Sequence, residues 1–303
     1  MPTLNELEDR RSRYFDLAEK RYEREIAALY KESLATIRAD MAKIYDKYAK
    51  DGILTKAQMT RYNRLASMEA KIYNDLSPAV KASVGTINKL KPAEYGEAFF
   101  RTAWAVDNST GVALDWGPLD KKAIVANLDN PFYQTATERL TGTLKGEVRN
   151  AINTGLALGQ SYPQMMKDLK KLVNLKNFET MRILRTELHA AQEAGIVDSY
   201  DEAKEQGIEG RTVWISTLDG STRPTHQAMD GKARNEDGYF VGAIGRARYP
   251  GDPDLPASER ISCRCDARFK VEGFEPQIRR SREDGLIPYQ TYPEWVKDKK
   301  LFK

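Results

Sequence analysis

Cys263, Cys265 and His226 carry the side chains of this sequence best suited to holding a metal. They share the stretch from Trp214 to Phe269, which contains both cysteines of the chain and one of its two histidines. On a strand, residues two apart point to the same side, so both thiols face one way. Their Cα atoms would then stand about 6.6–6.8 Å apart, at the outer edge of disulfide geometry, and no bond between them is expected. Same-side thiols with a nearby imidazole provide three of the four nitrogen or sulfur ligands of a structural zinc site. Asp219, Asp230 or His189 is left to supply the fourth. The spacing matches no standard zinc pattern. The plain alternative is two half-buried free thiols packed against a sheet.

A second constellation is Glu187, Arg223 and His226, which could form a metal-free phosphodiester-cleaving site with His226 and Glu187 as acid and base. The favoured alternative is structural, with Arg185 and Glu187 pinning their helix to a sheet through ion pairs, since such networks also perturb ionisable groups. His189, on the same helix, fits a packed or surface side chain better than a catalyst. Asp219-Gly-Ser-Thr-Arg223 lacks the glycine spacing and Lys-Ser/Thr ending of a phosphate-cradling loop. Phosphate contact is expected instead from Arg279, Arg280 and Arg282, with Lys297, Lys299, Lys300 and Lys303. Its bland counterpart is an ordinary solvated tail.

The elements that must position these residues are mostly helical. Residues 4 to 50 form one long amphipathic helix, its stripe being Phe15, Ala18, Tyr22, Ile26, Leu29, Ser33, Ile37, Met41, Ile44 and Tyr48. Such a stripe has more apolar surface than one returning helix covers, which predicts self-association or docking on a partner. Asp51-Gly52 turns the chain, and Thr55-Lys-Ala-Gln58 matches a capping box. Met59, Tyr62, Leu65, Ile72 and Leu76 line the returning helix, which Ser77-Pro78 should stop; Lys91-Pro92 should open another. A further helix is expected from Thr135 to Leu158, weakened by Gly142 and Gly146. The segment 174–177 reads as a loop before the helix of Met181 to Tyr200. After Gly207, strands are predicted at 211–217, 239–241 and 263–271, with 225–229 a short helix and 248–256 a loop. The last thirty or so residues, about one tenth of the chain, read as an extended basic tail. The fold class is therefore α+β, a predominantly helical N-terminal half followed by a small antiparallel sheet. The expected divisions are 1–134, 135–275 and 276–303.

Composition narrows the function class. The 303 residues hold 48 basic and 44 acidic side chains, a net charge of +4, which permits contact with DNA without demanding it. The N-terminus lacks the apolar core of a signal peptide, no stretch approaches a membrane span, and two cysteines around one arginine are no secreted disulfide framework. A protein made in a reducing cytoplasm is expected, with no membrane partner and no cofactor beyond the structural zinc.

Taken together, these residues resemble the phage head morphogenesis family, the minor head or Mu protein F-like proteins. The likeness lies in Arg185-Thr186-Glu187 with Ala190, Ala191, Ala194 and Gly195 behind it. It continues in the Trp214 strand, Asp219, Arg223, His226 and Gly231, a proline-rich loop, and the Cys263-Arg264-Cys265 ending. It spans residue 140 or so to the end. The resemblance implies a minor capsid protein of a tailed phage, inside the head at the portal vertex. The portal protein and packaged DNA, bound without regard to sequence, are the implied partners, with scaffold or major capsid protein as further ones. Related domains in bacterial toxin chains keep the nuclease alternative open.

Overall fold

The computed structural model describes residues 3–271, 278–281 and 283–299. Three long helices dominate: α1 (Leu4–Tyr48), α3 (Arg64–Thr110) and α7 (Tyr162–Glu205), with α2 (Lys56–Thr60), α4 (Lys121–Leu128), α5 (Pro131–Gly142) and α6 (Leu144–Ala157) between them. The remainder alternates short strands and helices: β1 (Gly210–Ile215), α8 (Pro224–Gln227), β2 (Phe240–Gly242), β3 (Gly245–Ala247), α9 (Ala257–Arg260), β4 (Asp266–Val271), β5 (Ile278–Ser281), β6 (Gly285–Pro288) and α10 (Tyr292–Lys299). The strands pair as three antiparallel two-stranded sheets, β1 with β4, β2 with β3 and β5 with β6. The α+β class expected from the sequence is what the chain adopts.

Two compact units cut across the expected sequential divisions. One comprises residues 1–18, 89–132 and 185–303, the other 19–88 and 133–184. Each long helix contributes a segment to both, so a boundary drawn along the chain does not isolate either core.

The all-helical unit, residues 19–88 and 133–184, uses the α1 stripe internally. Ile26, Ile37 and Met41 are fully covered, alongside Ile72, Leu76, Ile87, Val148, Ile152 and Met165. Tyr30 and Tyr45 are buried where Leu29 and Ile44 were expected, and the Tyr30 hydroxyl lies 2.6 Å from Thr180 Oγ1. The stripe drifts because 3.6 residues per turn does not divide the heptad spacing evenly. The apolar surface assigned to a partner is thus occupied by the chain itself. Thr55 and Gln58 form the expected capping box. Tyr62, expected on the apolar side, instead has φ 56° and points to solvent.

Other local signals are overruled. α3 continues through Ser77-Pro78 and Lys91-Pro92, although an interior proline costs a helix about 3 kcal/mol. In this unit Leu76, Ala79 and Val80 are buried around an outward-facing Pro78, so packing offsets the lost hydrogen bond. The expected loop at 174–177 is helix within α7, because Lys176 is buried and bridges Glu147 Oε2 at 2.6 Å and Glu179 Oε2 at 2.9 Å. The helix expected from 135 to 158 breaks at Thr143 into α5 and α6.

The mixed unit is built on α7. Ala190, Ala191, Ala194, Ile196, Val197 and Tyr200 pack with Tyr95, Phe99 and Val106 of α3, Ile124 and Leu128 of α4, and Ala267 and Phe269 of β4. The small residues behind Arg185-Thr186-Glu187 permit a close helix crossing: a Cβ on Gly195 would stand 2.3 Å from the Tyr95 carbonyl oxygen. A second cluster gathers Trp214, Met229, Phe240, Ile244, Ala247, Leu255, Cys263 and Cys265. The tail is not extended: Tyr292 and Trp295 are buried with Leu218.

Candidate functional site

The polar residues singled out in the sequence gather in the mixed unit, but as separate centres. Thr186 and Glu187 sit on the buried side of α7, among apolar neighbours that force them inward. Glu187 Oε1 accepts from Arg260 Nη2 at 2.7 Å, and Oε2 accepts from Lys91 Nζ at 2.9 Å and Asn130 Nδ2 at 3.1 Å. Asn130 Oδ1 takes Arg260 Nη1 at 3.2 Å, closing the ring, and the Arg260 guanidinium lies over the Phe132 face. A carboxylate held by two cations and an amide is committed as an acceptor in this ring. Thr186 Oγ1 accepts from the Ser262 amide, where the backbone turns through φ 54°. Arg185 is exposed. Glu187 thus ties α7 to α3, α9 and the link at Asn130, not to a sheet as the sequence reading expected.

Arg223 and Asp219 shape the loops around β1. Arg223 donates to the carbonyls of Glu259 and Ile261, tying α8 to the loop before β4. Asp219 accepts both Arg264 guanidinium nitrogens and caps its own turn at the Ser221 amide, 2.9 Å away. Those hydrogen bonds raise the Arg264 pKa. Gly231 supplies a φ of +77° at the turn where its amide bonds the Trp214 carbonyl, a conformation that glycine adopts without a side-chain penalty.

The thiol centre assembles as its spacing predicts, although β4 begins only at Asp266 and the cysteines occupy the extended segment ahead of it. His226, on α8, lies with Nδ1 3.2 Å from Cys265 Sγ and 3.7 Å from Cys263 Sγ. The three ligand atoms fall within 4.8 Å of one another, and all three residues are buried. The Trp214 ring meets the imidazole edge-on at 5.6 Å, and Ser216 Oγ donates to the His226 carbonyl, which fixes α8. His226 Nε2 stands 3.2 Å from Glu259 Oε2. Burial pushes the Cys265 thiol up, but hydrogen bonds from Cys263 and His226 outweigh it and leave it well below its ordinary value. The hydrogen bond that Cys263 gives Cys265, reinforced by burial, holds its own proton firmly.

Of the expected phosphate-binding residues, Arg279 is placed elsewhere. Its guanidinium is buried, donating to Asp230 at 2.6 and 2.9 Å and to the Ser216 carbonyl at 2.6 Å. β5 draws it inward because a buried carboxylate waits there, so Arg279 joins the mixed unit rather than the solvated surface. Lys297 is exposed on α10. Arg280 and Lys299 are described by backbone alone, and Arg282, Lys300 and Lys303 lie outside the described residues.

Sequence reasoning missed a third network. Arg268 Nη2 pairs with Asp9 at 2.6 Å, Arg11 Nη2 with Asp266 at 3.1 Å, and Glu8 accepts the Phe269 amide and the Tyr200 hydroxyl. It clamps the start of α1 onto β4. Like Lys91, Asn130 and Arg260, these residues pair across long sequence separations, so no local spacing marks them. No described helix is long and apolar enough to cross a membrane.

A family model described as Phage Mu protein F like protein matches residues 146–268. The minor head protein GP7 of Bacillus phage SPP1 is 31% identical over 294 residues, covering 93% of each chain. An NAD(+)–arginine ADP-ribosyltransferase, EFV of Enterococcus faecalis, is 29% identical over 280 residues, 89% of this chain. The alignment spans only 56% of that relative's length. No solved structure matches the chain. Identity of 31% with a minor head protein over 93% of each chain, together with the family match over residues 146–268, means that this chain belongs to the Mu protein F-like minor head proteins.

Proposed function

We propose that this phage minor head protein works as a structural component, docking on the portal inside the head and touching packaged DNA there. The observation that carries the reading is the 31% identity to a minor head protein across 93% of both chains. A role without chemistry of its own is supported by Glu187, whose two oxygens are taken up by Lys91, Arg260 and Asn130.

With the α1 stripe used internally, portal docking falls to exposed apolar side chains. Phe100 and Trp104, one turn apart on α3, are 47% and 55% exposed, and aromatic anchors of this kind dominate interface energetics. Retention of the full chain on immobilised portal protein tests this. The double substitution Phe100→Asp and Trp104→Asp is expected to abolish retention with the melting temperature unchanged; undiminished retention rejects this surface.

DNA contact is assigned to Arg246 on the β2–β3 hairpin, which is exposed and lies over the Tyr239 ring, together with Lys297. The depression lined by Asp115, Asp198, Asp201, Glu202 and Glu205 would repel phosphate. Binding is expected to be indifferent to sequence and to fall with salt, and Arg246→Ala to flatten the salt slope by about 0.9.

A further inference from the structure

We propose that Cys263, Cys265 and His226 hold a structural zinc ion, with His189 closing the fourth position. The geometry begins with three donors of the right kind, two sulfurs and an imidazole nitrogen, gathered within 4.8 Å. Tetrahedral zinc takes these ligands, and soft thiolates favour it over calcium or magnesium. They come from two separate segments, α8 and the run before β4, so a metal would add to the hydrogen bonds that Arg223 and Thr225 already make between the two.

The fourth ligand follows by elimination. Asp219 is engaged by Arg264, Ser221 and Thr222. Asp230 accepts from Ser216, Arg279 and the Tyr292 amide. Of the residues considered, His189 remains: its Nε2 atom is buried and makes no hydrogen bond among the described residues.

Glu259 completes the arrangement. A metal-bound histidine generally presents its other ring nitrogen to a carboxylate, which fixes its tautomer. With Nδ1 toward the thiols, His226 presents Nε2 to Glu259 Oε2 at 3.2 Å, and the Thr225 hydroxyl holds that carboxylate oxygen from 2.7 Å. Zinc binding would leave both sulfurs as thiolates, the proton that Cys263 holds going to solvent.

The test uses the full chain purified under reducing conditions without chelator. About one zinc per chain is expected by elemental analysis. After zinc removal, titration with cobalt(II) should give thiolate-to-cobalt charge transfer and the strong visible bands of a tetrahedral site. Cys263→Ser should weaken both, and Glu259→Gln should lower zinc affinity roughly 10–100-fold while keeping the cobalt spectrum. His189→Leu should keep the charge transfer but shift the visible bands; unchanged bands remove His189 from the site. If Cys263→Ser does not fold, the wild-type cobalt titration decides alone. A folded, reduced wild-type chain that shows neither zinc content nor cobalt charge transfer overturns the proposal.

Discussion

Two buried polar centres of the mixed unit, one around Glu187 of α7 and one around Cys265 ahead of β4, differ in one respect. Around Glu187, carboxylate, two cations and an amide satisfy one another in a closed ring. Around Cys265, two thiols and an imidazole converge, and the Nε2 atom of His189 on α7 has no partner among the described residues. The Glu187 carboxylate has both oxygens engaged as folded, while Arg260 Nε beside it has no partner among the described residues. The thiols and the imidazole stand together as a three-donor set. The zinc proposal rests on that difference, although both centres contain residue types that sequence reading treats alike.

The largest expected effect breaks the closed ring. Glu187→Ala leaves Lys91 and Arg260 buried without their anion, which typically costs about 3–5 kcal/mol. Chemical denaturation of this variant should show that loss; a change under about 1 kcal/mol would mean that the ring is dispensable.

The matching change at the other centre should do far less. His189→Leu in chelator-treated protein removes a nitrogen with nothing to lose, and volume-conserving swaps usually cost under about 1.5 kcal/mol. If His189→Leu costs as much as Glu187→Ala, the nitrogen has a partner and the contrast between the centres fails.

A smaller effect comes from Glu193, one turn beyond His189. Burial, with the negative Asp266 beside it, raises its carboxyl well above the ordinary 4.5, against Arg11 and the Ala267 amide. A raised carboxyl contributes stability that is full below the unfolded value and lost as pH rises through the folded one. Glu193→Gln keeps a donor toward Asp266 and an acceptor for the amide, and it cannot ionise. Its melting temperature should therefore decline less than that of the wild type as pH rises from about 4.5. Parallel pH profiles would show that Glu193 does not carry this dependence. Asp266 is shifted the other way: burial alone would raise it, but Arg11 and Arg268 outweigh that and hold it below its ordinary value, so its contribution fades only as pH falls through that lowered value in either protein.

Much of the fold was legible where a signal is local. The long amphipathic α1, the Thr55–Gln58 capping box and the Trp214 strand follow from periodicity, side-chain hydrogen bonding and β-branching. Ser77-Pro78 and 174–177 misled, because a proline penalty of a few kcal/mol or a polar run yields to packing on both sides. Both thiols and His226 come within 4.8 Å of one another, although Cys263 and Cys265 lie ahead of β4 and not on the strand that the spacing argument assumed.

By itself, the sequence determined the α+β class, the family pattern from Arg185 to Cys265 and the thiol–imidazole donor set, since each depends on residue type at short separation. Only the tertiary structure decided which charges are used up. Arg279 looks like a phosphate ligand until Asp230, 49 positions away, is found against it. Glu187 looks like a general base until Lys91 and Arg260 close around it from separations of 96 and 73 residues. A side chain's chemistry is written in the sequence; its availability depends on partners that the chain brings together only by folding, because desolvation makes a buried charge take the nearest opposite one.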